Sequence, residues 1–224
     1  MSSTIPFHPL FLSFEVALAA SALALAVGAT FAWVLAKLRF PGKEWCDVLL
    51  TLPLVLPPTV LGYYLLVVIG NRSVIGRVWE NCFGNPLVFT PTAAVLAAFM
   101  SALPLVVKSA RSAMEAVETE AENAARLLGA SEWRVARTIT LPLAWRGLAA
   151  AGTLAFARAL GDFGATLMVA GNLPGKTQTA ALAIYDAVAA GRDSEALMLS
   201  GVMSVVAALL LYSVNRLTAA RHQW

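Results

Sequence analysis

Apolar residues run along this chain in long unbroken blocks, not in the one-faced or alternating patterns of a domain dissolved in water. Val16 to Ala36 is 21 residues without a charge, Val48 to Asn71 is 24, Asn81 to Val107 is 27 and Ala196 to Asn215 is 20. A helix needs about 20 consecutive apolar residues to cross a bilayer, so each block predicts a span. Gly147 to about Ala170 is apolar except for Arg158 and Asp162, and predicts a further span enclosing that pair at i,i+4. Thr177 to Val188 is too short and contains Asp186, which predicts a re-entrant or surface helix. The fold class expected is an all-α membrane bundle of about five spans with one long charged interruption.

Composition agrees. Of 224 residues 59% are hydrophobic and 13% charged, and the mean hydropathy is +0.73, whereas a soluble domain is about 45–50% apolar and about 25% charged. Disorder, collagen and coiled coil are excluded on the same ground. A net charge of +3 is too small to suggest a nucleic-acid partner. Membrane lipid is the expected surrounding.

The position of the charges is more telling than their sum. Lys37, Arg39 and Lys43 follow the first block; Lys108, Arg111, Arg126, Arg134, Arg137 and Arg146 fall between Val107 and Gly147; Arg216 and Arg221 follow the last block. Arg72, Arg77, Lys176 and Arg192 occupy the opposite side. The positive-inside rule then predicts an outside N-terminus and a cytoplasmic C-terminus. Residues 1–14 hold no Lys or Arg, so the basic region of a cleavable signal is missing and the first span is expected to stay as an anchor. Expected boundaries are an external segment 1–11, a membrane domain 12–215 and a cytoplasmic tail 216–224, with no regulatory domain after Trp224. Cys46 and Cys82 fall on opposite sides, so no internal disulfide is expected, and neither has metal-site spacing.

Two enzyme chemistries come near to fitting the chain. Ala170 to Thr177, AGNLPGKT, nearly fits a phosphate-binding loop, but such a loop needs a strand before it and a helix after it. Here it follows a membrane helix and opens outside, so ATP hydrolysis by this chain is not expected. Intramembrane proteolysis needs a base beside a nucleophile or two carboxylates in one site. His8 and His222 lie at opposite ends, and Asp162 is the only acid deep in a span.

The charged interruption carries the functional signal. Glu118 to Leu128 and Ser131 to Thr140 predict two short helices, with Gly129 at a left-handed cap, Ser131 capping the second and Pro142 ending it. Ala124, Ala125, Leu127 and Leu128 on the first, and Trp133, Ala136 and Ile139 on the second, predict flat apolar faces. They suit either the membrane surface or a groove in a partner protein.

The run NAARLLGASEWRVARTITLP resembles the coupling-loop signature of type I ABC importer permeases, E-A-A-x-x-x-G-x(9)-I-x-L-P. Asn123, Ala124, Ala125, Gly129, Ile139, Leu141 and Pro142 hold its positions at the right spacing. Asn123 stands where the family has Glu, with Glu122 one residue earlier. Leu52–Leu66, Ala157–Thr179 and Phe40–Lys43 resemble the permease subunits of molybdate importers, and sulfate permeases share the G-[DE]-F-G portion. The resemblance implies a homodimer with its pathway between the subunits, in a bacterial inner membrane. It implies two ATP-binding subunits docked on the loop, using ATP and Mg that this chain does not bind, and a periplasmic oxyanion-binding protein. The expected cargo is molybdate, with tungstate accepted. The alternatives are a sulfate/thiosulfate permease and a proton-coupled carrier relaying through Asp162.

Within the spans, Pro53, Pro57 and Pro58 remove backbone donors and predict a kink or gate. Gly161 and Gly164 flank Asp162 and predict close backbone approach. Arg158 and Asp162 either neutralise each other as a structural pair or stand on the path of the anion.

Overall fold

The computed structural model describes residues 7–38 and 40–219. Arg39, Arg221, His222 and the outer parts of both expected terminal segments lie outside the described residues. The first apolar block forms α1 (Phe7–Lys37), which begins ahead of Val16 because Leu10, Phe11 and Leu12 extend the run.

The second block is two helices, α2 (Lys43–Val55) and α3 (Pro58–Ile69), bent by 116° at the break between them. Pro53 sits inside α2 without stopping it. The break belongs to the Pro57–Pro58 pair. A residue before proline is pushed out of the α region, so Leu56 (ψ 140°) and Pro57 (ψ 137°) are both extended. Pro58 then opens α3, where its missing N–H costs nothing.

The third block is not one span from Asn81. Its start belongs to α4 (Val74–Phe83), capped by the Ser73 hydroxyl and stopped at Gly84, which is left-handed with φ 72°. The span proper is α5 (Pro91–Glu115), capped by Thr90. Residues 84–90 read as membrane because part of this connection is buried: Leu87 is 2% exposed and Val88 5%. At its other end α5 runs past the apolar block, and Asp47 of α2 receives Lys108 at 3.1 Å and Arg111 at 3.2 Å.

The charged interruption forms α6 (Thr119–Leu127), α7 (Glu132–Val135), a widened π turn (Ala136–Thr140) and α8 (Leu141–Leu160). Pro142 therefore does not end a helix; α7, the π turn and α8 are continuous from Glu132 to Leu160. The Leu141 N–H reaches back five residues to the Ala136 carbonyl, and Pro142 then falls in the first turn of α8, where a missing N–H is tolerated. The fifth expected span also needs correction at its far end. Helix α8 stops at Leu160, residues 161–163 are non-helical, and α9 (Gly164–Ala170) follows, so Asp162 lies in a break and not inside a helix. The short helix α10 (Ala180–Ala189) and the long α11 (Asp193–Ala219) complete the chain.

Helix α5 is the axis, packed on α1, α8, α9 and α2. Ala93, Ala94, Ala97, Ala98, Ala102 and Ala110 of α5 have no exposed surface, and neither do Ala17, Ala20 and Ala24 of α1 or Ala151 and Ala155 of α8. Lipid tails are as apolar as leucine, so helices associate here through close contact between small side chains. Among the described residues, four helices are long and apolar enough to cross a membrane, and the bent α2–α3 pair makes up to five.

Candidate functional site

The loop between α5 and α8 is built for projection. Gly129 has φ 83°, and a β-carbon there would meet nothing within 4 Å, so conformation and not crowding requires glycine. Its N–H donates to Arg126 O at 2.9 Å and the Ala130 N–H to Ala125 O at 3.0 Å, the paired bonds of a Schellman stop. The Ser131 hydroxyl accepts the Arg134 N–H and starts α7. Leu127 and Leu128 are each 89% exposed and Trp133 68%. They form an apolar tip beside exposed Asn123 and Ala124 and half-buried Ala125. Ala136 is buried and Ile139 half-buried, so Ala136 belongs to the seat of the loop and not to a docking face. Leu141 packs into the core under the loop.

That seat is ionic. The Glu122 side chain is almost fully buried and meets Lys37 Nζ, at the end of α1, at 2.8 Å. The Thr140 hydroxyl, in the π turn, donates to it at 2.7 Å, and Arg126 stands 3.6 Å away. Burial pushes this carboxyl up, but the hydrogen bonds from Lys37 and Thr140 and the charges of Lys37 and Arg126 outweigh it and hold it below the ordinary carboxylate value. Asn123 points to the surface and accepts from Arg126 at 2.9 Å. The acid of this loop is thus Glu122, and it faces its own chain. Lys37 and Thr140 were not singled out from sequence. Lys37 reads there as one more topogenic charge, and its pairing with a residue 85 positions on has no local signature.

The residues expected along the path are brought together in part. A β-carbon on Gly164 would lie 2.9 Å from Pro58 Cβ, and one on Gly62 would lie 2.7 Å from Met168 Cβ, so α3 and α9 touch backbone to backbone. The two helix breaks, at Pro57–Pro58 and at Gly161–Gly164, therefore abut. Asp162, with 1% of its side chain exposed, sits at their junction. It accepts from Ser101 Oγ at 2.8 Å, Thr166 N at 3.0 Å and Thr166 Oγ1 at 2.7 Å. Arg158 Nη1 approaches at 3.3 Å with a third of its side chain exposed. Two expectations fail here: Pro53 lies within α2, away from the break, and Gly161 is open and makes no close contact beyond its own helix. Irregular backbone at membrane depth is stable only when buried in protein or lining a water-filled cavity, which makes this junction a candidate part of a pathway.

The segment 170–177 closes on itself. The Leu173 carbonyl accepts the N–H groups of Lys176, Thr177 and Gln178, and Thr177 Oγ1 bonds Leu173 N and Gly171 O. With these donors turned inward it is no phosphate cradle. Among the described residues no cluster of His, Cys, Asp and Glu has the arrangement of a metal site.

Known proteins share this architecture. The inward-facing MetNI methionine ABC transporter superposes with a TM-score of 0.76 over 98% of this chain and 99% of its own, at 15% identity. A bacterial alginate ABC transporter does so with a TM-score of 0.76 over 97% and 79%, at 12% identity. The chain is 48% identical to the molybdenum transport system permease protein ModB of Escherichia coli K12, over 78% of this chain and 76% of that one. It is 38% identical to ModB of Azotobacter vinelandii, over 91% and 90%. The sulfate transport system permease protein CysT of Escherichia coli K12 is 32% identical, over 85% and 68%. The model of the binding-protein-dependent transport system inner membrane component family matches residues 20–222. The chain, with its exposed loop and its all-helical membrane bundle, belongs to that family.

Proposed function

We propose that this chain is the membrane-spanning subunit of an ATP-driven importer of molybdate, with tungstate carried on the same path. The observation that carries the reading is the similarity to two molybdenum transport permeases, 48% and 38% identical, against 32% for a sulfate permease. The loop supplies the mechanical part. Leu127, Leu128 and Trp133 offer an apolar knob for a cytoplasmic ATP-binding subunit, while Glu122 ties that knob to α1 and α8. Two copies of the chain enclose the pathway, two ATP-binding subunits hydrolyse Mg-bound ATP beneath it, and a periplasmic protein delivers the oxyanion. Closure of the ATPase pair draws the two loops together and tips the bundle outward-open; release returns it. The end bearing Lys37, Lys108 and Arg111 is cytoplasmic, and the Gly84–Thr90 end faces the periplasm, in the inner membrane.

Sulfate is the second cargo to weigh, because the Gly161–Gly164 segment is common to both kinds of permease. A proton-coupled carrier is disfavoured: Asp162 is enclosed by donors, with no open oxygen for a relay. Competition decides the cargo. Cells carrying the complete importer should take up labelled molybdate with tungstate as a strong competitor and sulfate as a weak one. Stronger competition by sulfate would reassign the cargo.

A further inference from the structure

Arg158 and Asp162 are partners of unequal need. Asp162 accepts three short hydrogen bonds from neutral, packed donors, at 2.8, 3.0 and 2.7 Å. Arg158 adds the longest contact, 3.3 Å, through one nitrogen. With those three donors the oxygens of Asp162 are already hydrogen-bonded before the guanidinium is counted. Arg158 therefore is not required to satisfy Asp162, while Asp162 fixes where the guanidinium sits.

Depth and direction give that guanidinium a purpose. Asp162 bonds Ser101, ten residues along α5 from Pro91, which places the junction about 15 Å along that helix, well inside a span. Leu154 and Arg158, at i,i+4, fall on one face of α8, and that face is open: Leu154 is 43% exposed and the Arg158 side chain 32%, with exposed Gly161 just past the helix end. An arginine at mid-depth does not face lipid without a large penalty; such residues face a bundle interior or water. The open face of α8, beside the paired helix breaks, is therefore one turned to water or to another protein surface and not to lipid.

We propose that Arg158 forms a transient mid-membrane site for the tetrahedral oxyanion dianion, its remaining N–H groups donating to the oxygens of the cargo in passing. A guanidinium fork matches paired oxyanion oxygens. Asp162 offsets part of the positive charge, so the dianion is attracted but not trapped, as conduction requires. The inference rests on the importer reading and adds a site to it.

The test uses the complete complex with its binding protein in sealed vesicles, comparing Arg158→Gln and Arg158→Lys with the unsubstituted protein and leaving Asp162 in place. Both variants should assemble and keep ATP hydrolysis stimulated by the binding protein. Molybdate uptake per ATP should fall about tenfold or more in Arg158→Gln, the loss of a charge-assisted contact, and less in Arg158→Lys. Unchanged uptake in Arg158→Gln overturns the site. If Arg158→Gln does not assemble, a double Arg158→Leu/Asp162→Leu replacement that assembles and transports normally also overturns it. A double variant that assembles without transporting upholds it. In the unsubstituted complex, molybdate should shield Arg158 from an arginine-selective dicarbonyl reagent, read by mass spectrometry of the labelled peptide; no shielding counts against the site. Unsubstituted vesicles that accumulate neither molybdate, tungstate nor sulfate would instead refute the oxyanion reading, an outcome distinct from these.

Discussion

Glu122 is where one side chain joins three elements. Its carboxylate ties α6 to Lys37 at the end of α1 and to Thr140 at the root of α8. Removing one partner of a buried pair costs about 3–5 kcal/mol, because the other charge is stranded. Glu122→Ala should therefore loosen the loop without disturbing insertion, and Lys37→Met should do the same. The exchanged pair Lys37→Glu/Glu122→Lys should recover part of the loss, read as protection of the loop from protease. Acid gives an independent check. The folded carboxyl titrates below its ordinary value of 4.5, so the latch is fully formed above that pH and is lost as pH falls through the depressed value. Loop protection should weaken below about pH 4.5 in the unsubstituted protein, more steeply than in Glu122→Gln. Sequence indicated the loop, its glycine stop and its serine cap, because these are local rules of helix termination. It did not indicate the latch, since which charges meet is decided by how α1 and α8 pack.

The helices themselves divide along the same line. The bend between α2 and α3 is legible in two adjacent prolines, each of which drives the residue before it out of helical geometry. The break after α8 is not legible, for Gly161 and Phe163 continue the apolar run of the helix they interrupt and only Asp162 departs from it. The start of α5 is not legible either, because a buried connection uses the same residues as a span: Leu87 and Val88 lie in the core. At this scale the loop gives the sharpest test. Gly129→Leu forces a branched side chain into φ 83°, a cost of roughly 1–2 kcal/mol, and adds bulk at the tip. The variant should insert as before while the ATP-binding subunit no longer co-purifies. Undiminished co-purification would separate the tip from docking.

The molecule as a whole puts its basic end, with Lys37, Lys43, Lys108 and Arg111, opposite the Gly84–Thr90 end, and the proposed orientation rests on that asymmetry. In a background lacking Cys46 and Cys82, an impermeant thiol reagent should label Asp193→Cys in intact cells and Ser112→Cys only after permeabilisation. Early labelling of Ser112→Cys would invert the assignment.

On the proposed reading the helices of this chain hold no energy source of their own, and ATP drives them from the loop side. The most direct measurement is molybdate accumulation by sealed vesicles holding the complete complex and its binding protein, with ATP supplied on the loop side and the proton gradient collapsed. Accumulation that requires ATP and persists without the gradient is the predicted result. Accumulation that follows the proton gradient and ignores ATP would contradict the account.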